Sequence, residues 1–387
     1  MLFDVTRLAD RMLQDRLPTG VDRVGLRYLQ HFSDRSLGLI RFAGRWVELS
    51  PPDSRSVFEA LLEGERKGHM TIRRCVARSY LTSWTCHRNR VLFNTGHSGL
   101  DHPDYALQVK RRNLKPVFFL HDLIPISHPE YCRPGEAERH HRRLATILSV
   151  AQGIVVNSKA TQRELLAYAG ERKCQVPPCV VASLAPARLP EPFHQRPLEK
   201  PYFVVLGTIE PRKNHSLLLH LWRELVADFG ESAPQLVVIG QRGWECEQVV
   251  DLLDRCSALQ GHVTELPRCN DRDLATWLSH AQALLFPSFT EGFGMPLVEA
   301  LMHRVPVIAT DLPVFREIAG EIPFYLDPLD GPGWRQAILD LVHSESATRT
   351  MQLGRMAGYA PPTWEQHFAV VDSLLQTIDG APSQTPY

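Results

Sequence analysis

Residues 286–300 read Phe-Pro-Ser-Phe-Thr-Glu-Gly-Phe-Gly-Met-Pro-Leu-Val-Glu-Ala. The segment follows a short apolar run, crosses a loop that holds Gly292 and Gly294, and enters a helix near Pro296, since proline is well tolerated in the first turn of a helix. Strand, loop and helix in this order form the unit from which parallel sheets are built. Open α/β sheets bind ligands at the carboxyl ends of their strands, so this loop is predicted to lie at a binding site.

The same unit recurs along the whole chain. Short β-branched runs alternate with longer segments of helical periodicity, which is typical of parallel sheets. The predicted strands are residues 2–5, 39–42, 91–94, 117–120 and 154–157 in the first half, and 203–206, 236–239, 263–266, 283–286 and 305–309 in the second. Because the strands fall into two similar sets, the predicted fold class is α/β with two Rossmann-like parallel-sheet domains.

Proline marks the boundary between the two sets of strands. Residues 184–201 hold five prolines, too many for a helix or a central strand. The predicted organisation is a first domain of residues 1–188, a linker of residues 189–201 and a second domain of residues 202–363. A last helix, residues 364–378, repeats apolar positions at helical spacing and is expected to pack back onto the first domain.

Composition limits the class of protein. The chain has 387 residues, of which 44% are hydrophobic and 22% charged, which excludes disordered, collagen-like and coiled-coil proteins. Its eight cysteines occur singly, without the paired spacing of a zinc site, and indicate a reduced, cytoplasmic protein. Since no run of about 18 apolar residues occurs, the expected contact with the inner face of the cell membrane is peripheral.

The net charge of zero conceals two opposite halves. Residues 1–198 hold 30 Lys and Arg against 19 Asp and Glu, whereas the remainder holds 13 against 24. The basic half predicts either an anionic partner or a solvated surface. An anionic membrane is the predicted partner; nucleic acid is not, because no recognisable nucleic-acid-binding fold accompanies the charges. The basic clusters are Arg66-Lys67, Arg73-Arg74, Lys110-Arg111-Arg112 with Lys115, and Arg139 with Arg142-Arg143.

A second motif lies at the first strand of the second half. Residues 203–214 read Phe-Val-Val-Leu-Gly-Thr-Ile-Glu-Pro-Arg-Lys-Asn, so a strand again runs into a glycine turn, at Gly207, and then into a helix. Arg212 and Lys213 stand where that helix begins, and cations are disfavoured there unless an anion is bound. The guanidinium fork and the ammonium point charge suit a diphosphate.

Two glutamates of residues 286–300 are predicted to have different tasks. Glu291 lies in the loop and can reach a sugar, whereas Glu299 lies about one turn inside the helix and can reach a ribose. Two other motifs are set aside. Asp271-Arg272-Asp273 resembles a metal-binding Asp-x-Asp but starts a helix, where acids are expected, and His140-His141 lacks a second ligand cluster at usable spacing.

Together these motifs resemble the donor-binding domain of retaining glycosyltransferases of family 4, which have the GT-B architecture of two Rossmann-like domains facing across a cleft. Within that family they are most similar to bacterial mannosyltransferases and related enzymes of surface polysaccharide assembly. One position departs from the family, because Arg304 stands where a glycine usually precedes the next strand. The matching residues are Arg212 with Lys213, Pro287-Ser288, Glu291-Gly292-Phe293-Gly294, Pro296 with Glu299, and residues 305–310.

The first half resembles the family more loosely. His121, directly after strand 117–120, resembles the family's histidine that touches the donor sugar. Thr19-Gly20 resembles the glycine-bearing loop that approaches the donor phosphates, although it follows the first strand after an unusually long interval.

The resemblance implies transfer of a sugar from a nucleoside diphosphate to a lipid-linked or soluble glycan. The expected donor is GDP-mannose, and the expected setting is synthesis of lipopolysaccharide O-antigen, capsule or exopolysaccharide. No cofactor or metal is implied. The implied catalytic residues are Glu291, His121, Lys213 and Arg212, and the implied donor-binding residues are Gly20, Gly207, Arg212, Lys213, Gly292, Phe293, Gly294, Met295 and Glu299. The alternatives are a sugar-nucleotide epimerase, a phosphorylase, or a non-catalytic module that binds nucleotide or glycan.

Overall fold

The computed structural model describes residues 1–82, 88–343 and 345–380, and the chain divides into two compact units. Of the described residues, the first unit contains those within Met1–Ile126, Gly135–Leu184 and residues 365–380. The second contains Ser127–Pro134 and Ala185–Trp364. Each unit is built on its own sheet.

The first unit holds a seven-stranded sheet in the order β3-β2-β1-β4-β5-β6-β7. Neighbouring strands are parallel except β2 and β3, which form an antiparallel hairpin. The strands are β1 (Leu2–Asp4), β2 (Leu37–Phe42), β3 (Arg45–Glu48), β4 (Val91–Asn94), β5 (Lys115–Leu120), β6 (Gly153–Val156) and β7 (Cys179–Val181). The helices up to this point are α1 (Thr6–Leu13), α2 (Gly20–Phe32), α3 (Pro51–Glu63), α4 (Gly68–Thr82), α5 (Asp104–Arg111), α6 (Ile124–Ser127), α7 (Glu136–Val150) and α8 (Lys159–Glu171).

The second unit holds a six-stranded, fully parallel sheet in the order β10-β9-β8-β11-β12-β13. The strands are β8 (Tyr202–Leu206), β9 (Gln235–Ile239), β10 (Val263–Leu266), β11 (Leu284–Phe286), β12 (Val307–Thr310) and β13 (Phe324–Leu326). The remaining helices are α9 (His215–Phe229), α10 (Glu247–Arg255), α11 (Asp271–Ser279), α12 (Met295–Met302), α13 (Pro313–Ala319), α14 (Gly331–Val342), α15 (Ala347–Met356) and α16 (Trp364–Gly380).

The predicted fold class is confirmed, and every predicted strand is present within a few residues of its expected bounds. Three strands were not predicted, because each lies at an edge of its sheet, where burial no longer imposes a long apolar run. β3 follows a tight turn whose residues Ala43 and Gly44 have φ values of 48° and 73°. β7 follows two prolines, and β13 exposes Phe324.

The last helix, α16, lies in the first unit. Its apolar residues Phe368, Val371, Leu374, Leu375 and Ile378 are buried. His367 is hydrogen-bonded through Nε2 to the Tyr28 hydroxyl at 2.7 Å. At Gly153 a side chain would meet Ile378 and Leu374, so the glycine allows the helix to lie close to β6.

The structure divides the chain at residues other than the predicted boundaries. Residues 185–201 are clustered with the second unit, where the backbone N–H of Phe193 donates to the Thr276 hydroxyl of α11 at 2.9 Å. Ser127–Pro134, placed in the first domain by the sequence, also belongs to the second unit. Its described contacts include the stacking of Tyr131 on Phe289 and the approach of Arg133 to the Trp244 ring, and hydrophobic periodicity gives no sign of either.

All seven cysteines within the described residues are free thiols, and Cys86 lies outside the described residues. None of the helices in the described ranges combines the length and apolar character needed to cross a bilayer.

Candidate functional site

The candidate site lies at the carboxyl edge of the second sheet. From β8 the chain passes to β9 and β10 on one side, and later to β11, β12 and β13 on the other, so the strand order reverses between β8 and β11. Ligands of open α/β sheets bind outside such a reversal. Gly207 follows β8 and the loop of residues 287–294 follows β11, so the two predicted motifs meet there.

Three of the predicted residues form a buried ion cluster. Arg212 donates from Nη1 to Oε2 of Glu291 at 2.7 Å, and Lys213 donates from Nζ to Oε1 of the same carboxylate. Arg212 also pairs with Glu210 at 2.8 Å. The side chains of Lys213 and Glu291 are only 10% and 8% exposed, so both charges depend on their partners rather than on water.

The electrostatics of the cluster keep Glu291 ionised. Burial alone would raise the pKa of this carboxyl, but Arg212 and Lys213 outweigh it and lower the pKa to about 2. For Lys213, burial and the neighbouring Arg212 lower the pKa from its usual value, while Glu291 opposes that change. The anion predicted at this position is therefore supplied, in the described structure, by the protein's own glutamate.

Glycines clear the space beside the cluster. Gly207 has a φ of 146° and lies against the Lys213 side chain, so a residue with Cβ would be strained there. At Gly240, which follows β9, a side chain would overlap the backbone of Gly207. Gly294 has a φ of 108°, and a side chain on it would come within 2.7 Å of the Phe315 ring.

The loop after β11 is tied to the cluster by its backbone. The N–H of Phe289 donates to the carbonyl of Arg212 at 2.8 Å, and Arg212 in turn donates to the carbonyl of Thr290 at 3.4 Å. Gly294 is the N-cap of α12, which begins at Met295, one residue before the predicted start near Pro296. Of the other predicted donor-binding residues, Gly292 is partly exposed, Phe293 is buried, Met295 is the first residue of α12, and Glu299 is buried in that helix.

His121 and Gly20 lie in the first unit, at the carboxyl edge of its sheet. His121 is buried and bonds through Nε2 to the carbonyl of Thr95 at 2.8 Å. A carbonyl oxygen can only accept a hydrogen bond, so the neutral ring carries its proton on Nε2 and presents Nδ1 as an acceptor. Burial lowers the pKa of His121, which favours this neutral form.

Helix α1 explains the long interval between β1 and Gly20. Gly20 is exposed and begins α2, and the preceding Thr19 donates from its backbone N–H to Asp22 at 2.8 Å. Arg7 and Arg11 each approach the buried Asp22 carboxylate to 2.7 Å. The start of α2 is therefore held by side chains of α1.

The residues set aside as metal ligands have structural partners. Asn270 caps α11 by accepting from the N–H of Asp273 at 2.9 Å, and its amide donates to the Asp273 carboxylate at 2.6 Å. His140 bonds through Nε2 to the Asp122 carbonyl at 3.2 Å, and His141 bonds through Nδ1 to the Tyr168 hydroxyl at 3.1 Å.

Arg304 shows why glycine is expected after α12. Its φ of 55° lies in the left-handed region that a helix end commonly requires of its next residue. Arginine adopts this conformation at a cost of roughly 1 kcal/mol.

Two further residues of the site were not predicted. Glu210 holds the outer side of Arg212, and its position two residues before that arginine is the signal that could have identified it. His215 begins α9, and within the described parts of the chain neither of its ring nitrogens has a hydrogen-bond partner. Burial and the nearby Lys213 lower the pKa of His215 to about 3, so it adds no charge to the cluster.

Comparison with known proteins identifies the second unit. Residues 191–349 match the family described as "Glycosyl transferases group 1". The serotype-specific mannosyltransferase WbdA of Escherichia coli is 29% identical over 228 residues, which are 54% of this chain and 27% of WbdA. The O-antigen chain mannosyltransferase RfbU of Salmonella typhimurium is 32% identical over 152 residues, covering 38% of this chain and 40% of RfbU. The chain thus spans about a quarter of the length of WbdA.

Among solved structures, Alr3699/HepE of Anabaena in complex with UDP-glucose has a TM-score of 0.67 at 15% identity, over 98% of this chain and 99% of that one. Sucrose-phosphate synthase of Thermosynechococcus elongatus has a TM-score of 0.59 at 17% identity, over 82% and 79%. At these identities the likeness shows the fold, which is that of the GT-B glycosyltransferases. Residues 191–349 therefore match the glycosyl transferases group 1 family, the chain is similar in sequence to bacterial mannosyltransferases, and its fold is GT-B.

Proposed function

We propose that this chain is a retaining, metal-independent glycosyltransferase that moves mannose from GDP-mannose to a glycan in the assembly of a bacterial surface polysaccharide. The observation that carries the proposal is the buried cluster of Arg212, Lys213 and Glu291 at the carboxyl ends of β8 and β11. Two relatives of 30% and 32% identity are named as O-antigen chain mannosyltransferases, which supports mannose and a glycan acceptor.

In this proposal the diphosphate of the donor competes with Glu291 for the same two cations. Negative charge grows on the diphosphate as the bond to the sugar breaks, and Arg212, Lys213 and the amino end of α12 are suited to stabilise it. Glu291, released from its partners, steadies the positive charge that develops at the anomeric carbon. Since side chains and backbone supply the positive charge that the leaving group needs, no metal takes part.

The other predicted residues complete the donor site. Glu299 binds the ribose, and Gly292, Gly294 and Met295 let backbone N–H groups approach the donor. His121 accepts a hydrogen bond from a sugar hydroxyl through Nδ1, the ring nitrogen that its bond to Thr95 leaves as an acceptor.

The function is tested first by ligand binding. GDP is expected to raise the melting temperature of the purified protein more than UDP, CMP or dTDP, because a ligand at 100 times its Kd stabilises the native state by about 2.7 kcal/mol. GDP-mannose and a glycan acceptor should then give a product with the donor's anomeric configuration, measured by NMR, and EDTA should leave the rate unchanged.

Three results would contradict the proposal. Conversion of the donor without an acceptor would identify an epimerase, and a requirement for inorganic phosphate would identify a phosphorylase. Binding of nucleotide with neither transfer nor slow donor hydrolysis would identify a non-catalytic module.

We also propose that the acceptor is lipid-linked and that the first unit docks on an anionic leaflet. The structure reduces the number of basic residues that are available for membrane docking, because several members of the basic clusters contact other residues of the protein. Within the described residues no carboxylate pairs with the exposed side chains of Arg73, Arg74, Lys110, Arg111 and Arg142. The partnered members are Arg66 with Asp15, Lys67 with Glu65, Arg139 with Asp101, Arg143 with Glu136, Lys115 with the carbonyl of Ile378, and Arg112 over the Trp46 ring.

Replacing Lys110, Arg111 and Arg142 together by alanine is expected to weaken vesicle binding about 100-fold, because each basic residue near an anionic leaflet contributes about 1 kcal/mol. Lys110 and Arg111 lie in the last turn of α5, and α5 packs against α7, the helix that carries Arg142. The measurement is co-sedimentation with vesicles of rising phosphatidylserine content at low and high salt. Lys67→Ala, which removes an already paired charge, is the matched control. Binding that ignores lipid charge and salt would assign the basic residues to a solvated surface.

A further inference from the structure

Ser127–Pro134 lies between two segments of the first unit along the chain, yet it belongs to the second unit. It comprises the end of α6, a short 3-10 turn at Pro129–Tyr131 and the residues that precede α7. Two of its side chains contact aromatic residues of the second unit, and both of those residues are linked to Arg212.

The first link runs through Tyr131. Its ring lies parallel to the ring of Phe289, with 4.9 Å between the ring centroids and 5° between the planes. Phe289 stands two residues before Glu291, and its backbone N–H donates to the carbonyl of Arg212 at 2.8 Å. The ring of Tyr131 therefore covers the part of the loop that places the Glu291 carboxylate.

The second link runs through Arg133. Its guanidinium carbon lies 5.9 Å from the centre of the Trp244 ring. The indole N–H of Trp244 donates to Glu210 at 3.3 Å, and Glu210 pairs with Arg212 at 2.8 Å. The same segment is thus linked to Arg212 twice: to its backbone through Phe289, and to its guanidinium group through Trp244 and Glu210.

We propose that Tyr131 is a positioning residue for Glu291, acting through Phe289, and that Ser127–Pro134 is part of the donor-site machinery. The inference rests on the proposed function, because Glu291 needs exact placement only if it meets the anomeric carbon. The described contact of Tyr131 is with the Phe289 ring, two residues before Glu291, so its loss is expected to disorder the carboxylate more than the side chains of Arg212 and Lys213.

Tyr131→Ala is expected to lower kcat about 10-fold with the donor KM nearly unchanged, since a stacked pair favours the ordered loop by up to about that factor. Amide hydrogen exchange should also become faster in residues 287–294. Tyr131→Phe keeps the ring and should restore both values. Tyr131→Leu, which keeps apolar bulk without a flat ring, should behave as the alanine variant and serves if that variant folds poorly.

Phe193→Ala is the matched control, because it removes a partly exposed ring of the same unit that packs under Arg272 instead. It should leave both kcat and exchange in residues 287–294 as in the wild type. Unchanged exchange in Tyr131→Ala and Tyr131→Leu, or equally faster exchange in the control, would overturn the inference. Hydrogen exchange is measured without substrate. If the protein transfers no sugar, the proposed function is refuted, but the exchange rates of residues 287–294 still show whether Tyr131 positions the loop.

Discussion

Lys213→Ala is expected to lower kcat/KM for sugar transfer by on the order of 100-fold or more, because it removes a buried charge aimed at the leaving diphosphate. The Lys213 side chain is 10% exposed and lies beside Arg212, so water and the remaining arginine replace its charge poorly. The measurement is the initial rate over a range of donor concentrations at saturating acceptor. The rise in melting temperature that GDP causes should also be smaller in this variant than in the wild type.

Lys200→Ala is the control for this variant. Lys200 belongs to the same unit and also pairs with a glutamate, Glu231, at 3.0 Å, but that glutamate is almost fully exposed. Exposed pairs contribute little, so its kcat/KM should equal that of the wild type. A Lys213→Ala protein with wild-type kcat/KM would remove the charge cluster from the mechanism.

Glu291→Gln is expected to lower kcat by on the order of 100-fold while GDP binds at least as tightly as to the wild type. With a pKa of about 2 the carboxylate is ionised throughout the physiological range, so the amide changes its charge at nearly constant shape. The variant removes the carboxylate that Arg212 and Lys213 share, while Glu210 still pairs with Arg212. The donor-free protein should therefore melt at a lower temperature, and the rise caused by GDP should be larger than in the wild type.

This pair of responses separates two roles for Glu291. If GDP binding were lost together with kcat, the glutamate would serve the fold or the nucleotide rather than the sugar. An unchanged kcat would exclude it from catalysis altogether. Glu231→Gln, at the exposed partner of Lys200, should change neither quantity and controls for a general effect of the substitution.

The sheets could be predicted from the sequence because their central strands are buried on both faces. A run such as residues 203–206 is apolar throughout, and so is the run at residues 117–120, where burial leaves little choice of residue. The edge strand β13 escaped prediction, since Phe324 is partly exposed and Tyr325 donates from its hydroxyl to the carbonyl of Gly320 rather than filling a core.

The sequence predicted the two motifs of the candidate site separately. It did not predict that their side chains contact one another. Arg212 and Lys213 could be assigned to an anion, and Glu291 to a sugar, from their places after two strands. That they contact one another follows from β8 and β11 being neighbours, which depends on strand order. The stacking of Tyr131 on Phe289 joins residues about 160 positions apart, and nothing in the loop around Tyr131 indicates a partner.

The position of α16 sets the order in which the protein can be completed during synthesis. Tyr28 and Phe32 of α2 lie within 6 Å of the Phe368 ring, between ring centroids, so an early aromatic cluster is finished by a late helix. About 180 residues separate Leu184 from α16, and at 5–20 residues per second the ribosome needs roughly ten to forty seconds to make them. Until α16 has been synthesised, the apolar surface of the first unit that α16 covers, which includes Tyr28 and Phe32, is therefore exposed. If the chain were cut between Leu184 and Pro201, α16 would be part of the C-terminal fragment. The N-terminal fragment would then hold the first sheet without the helix that covers it.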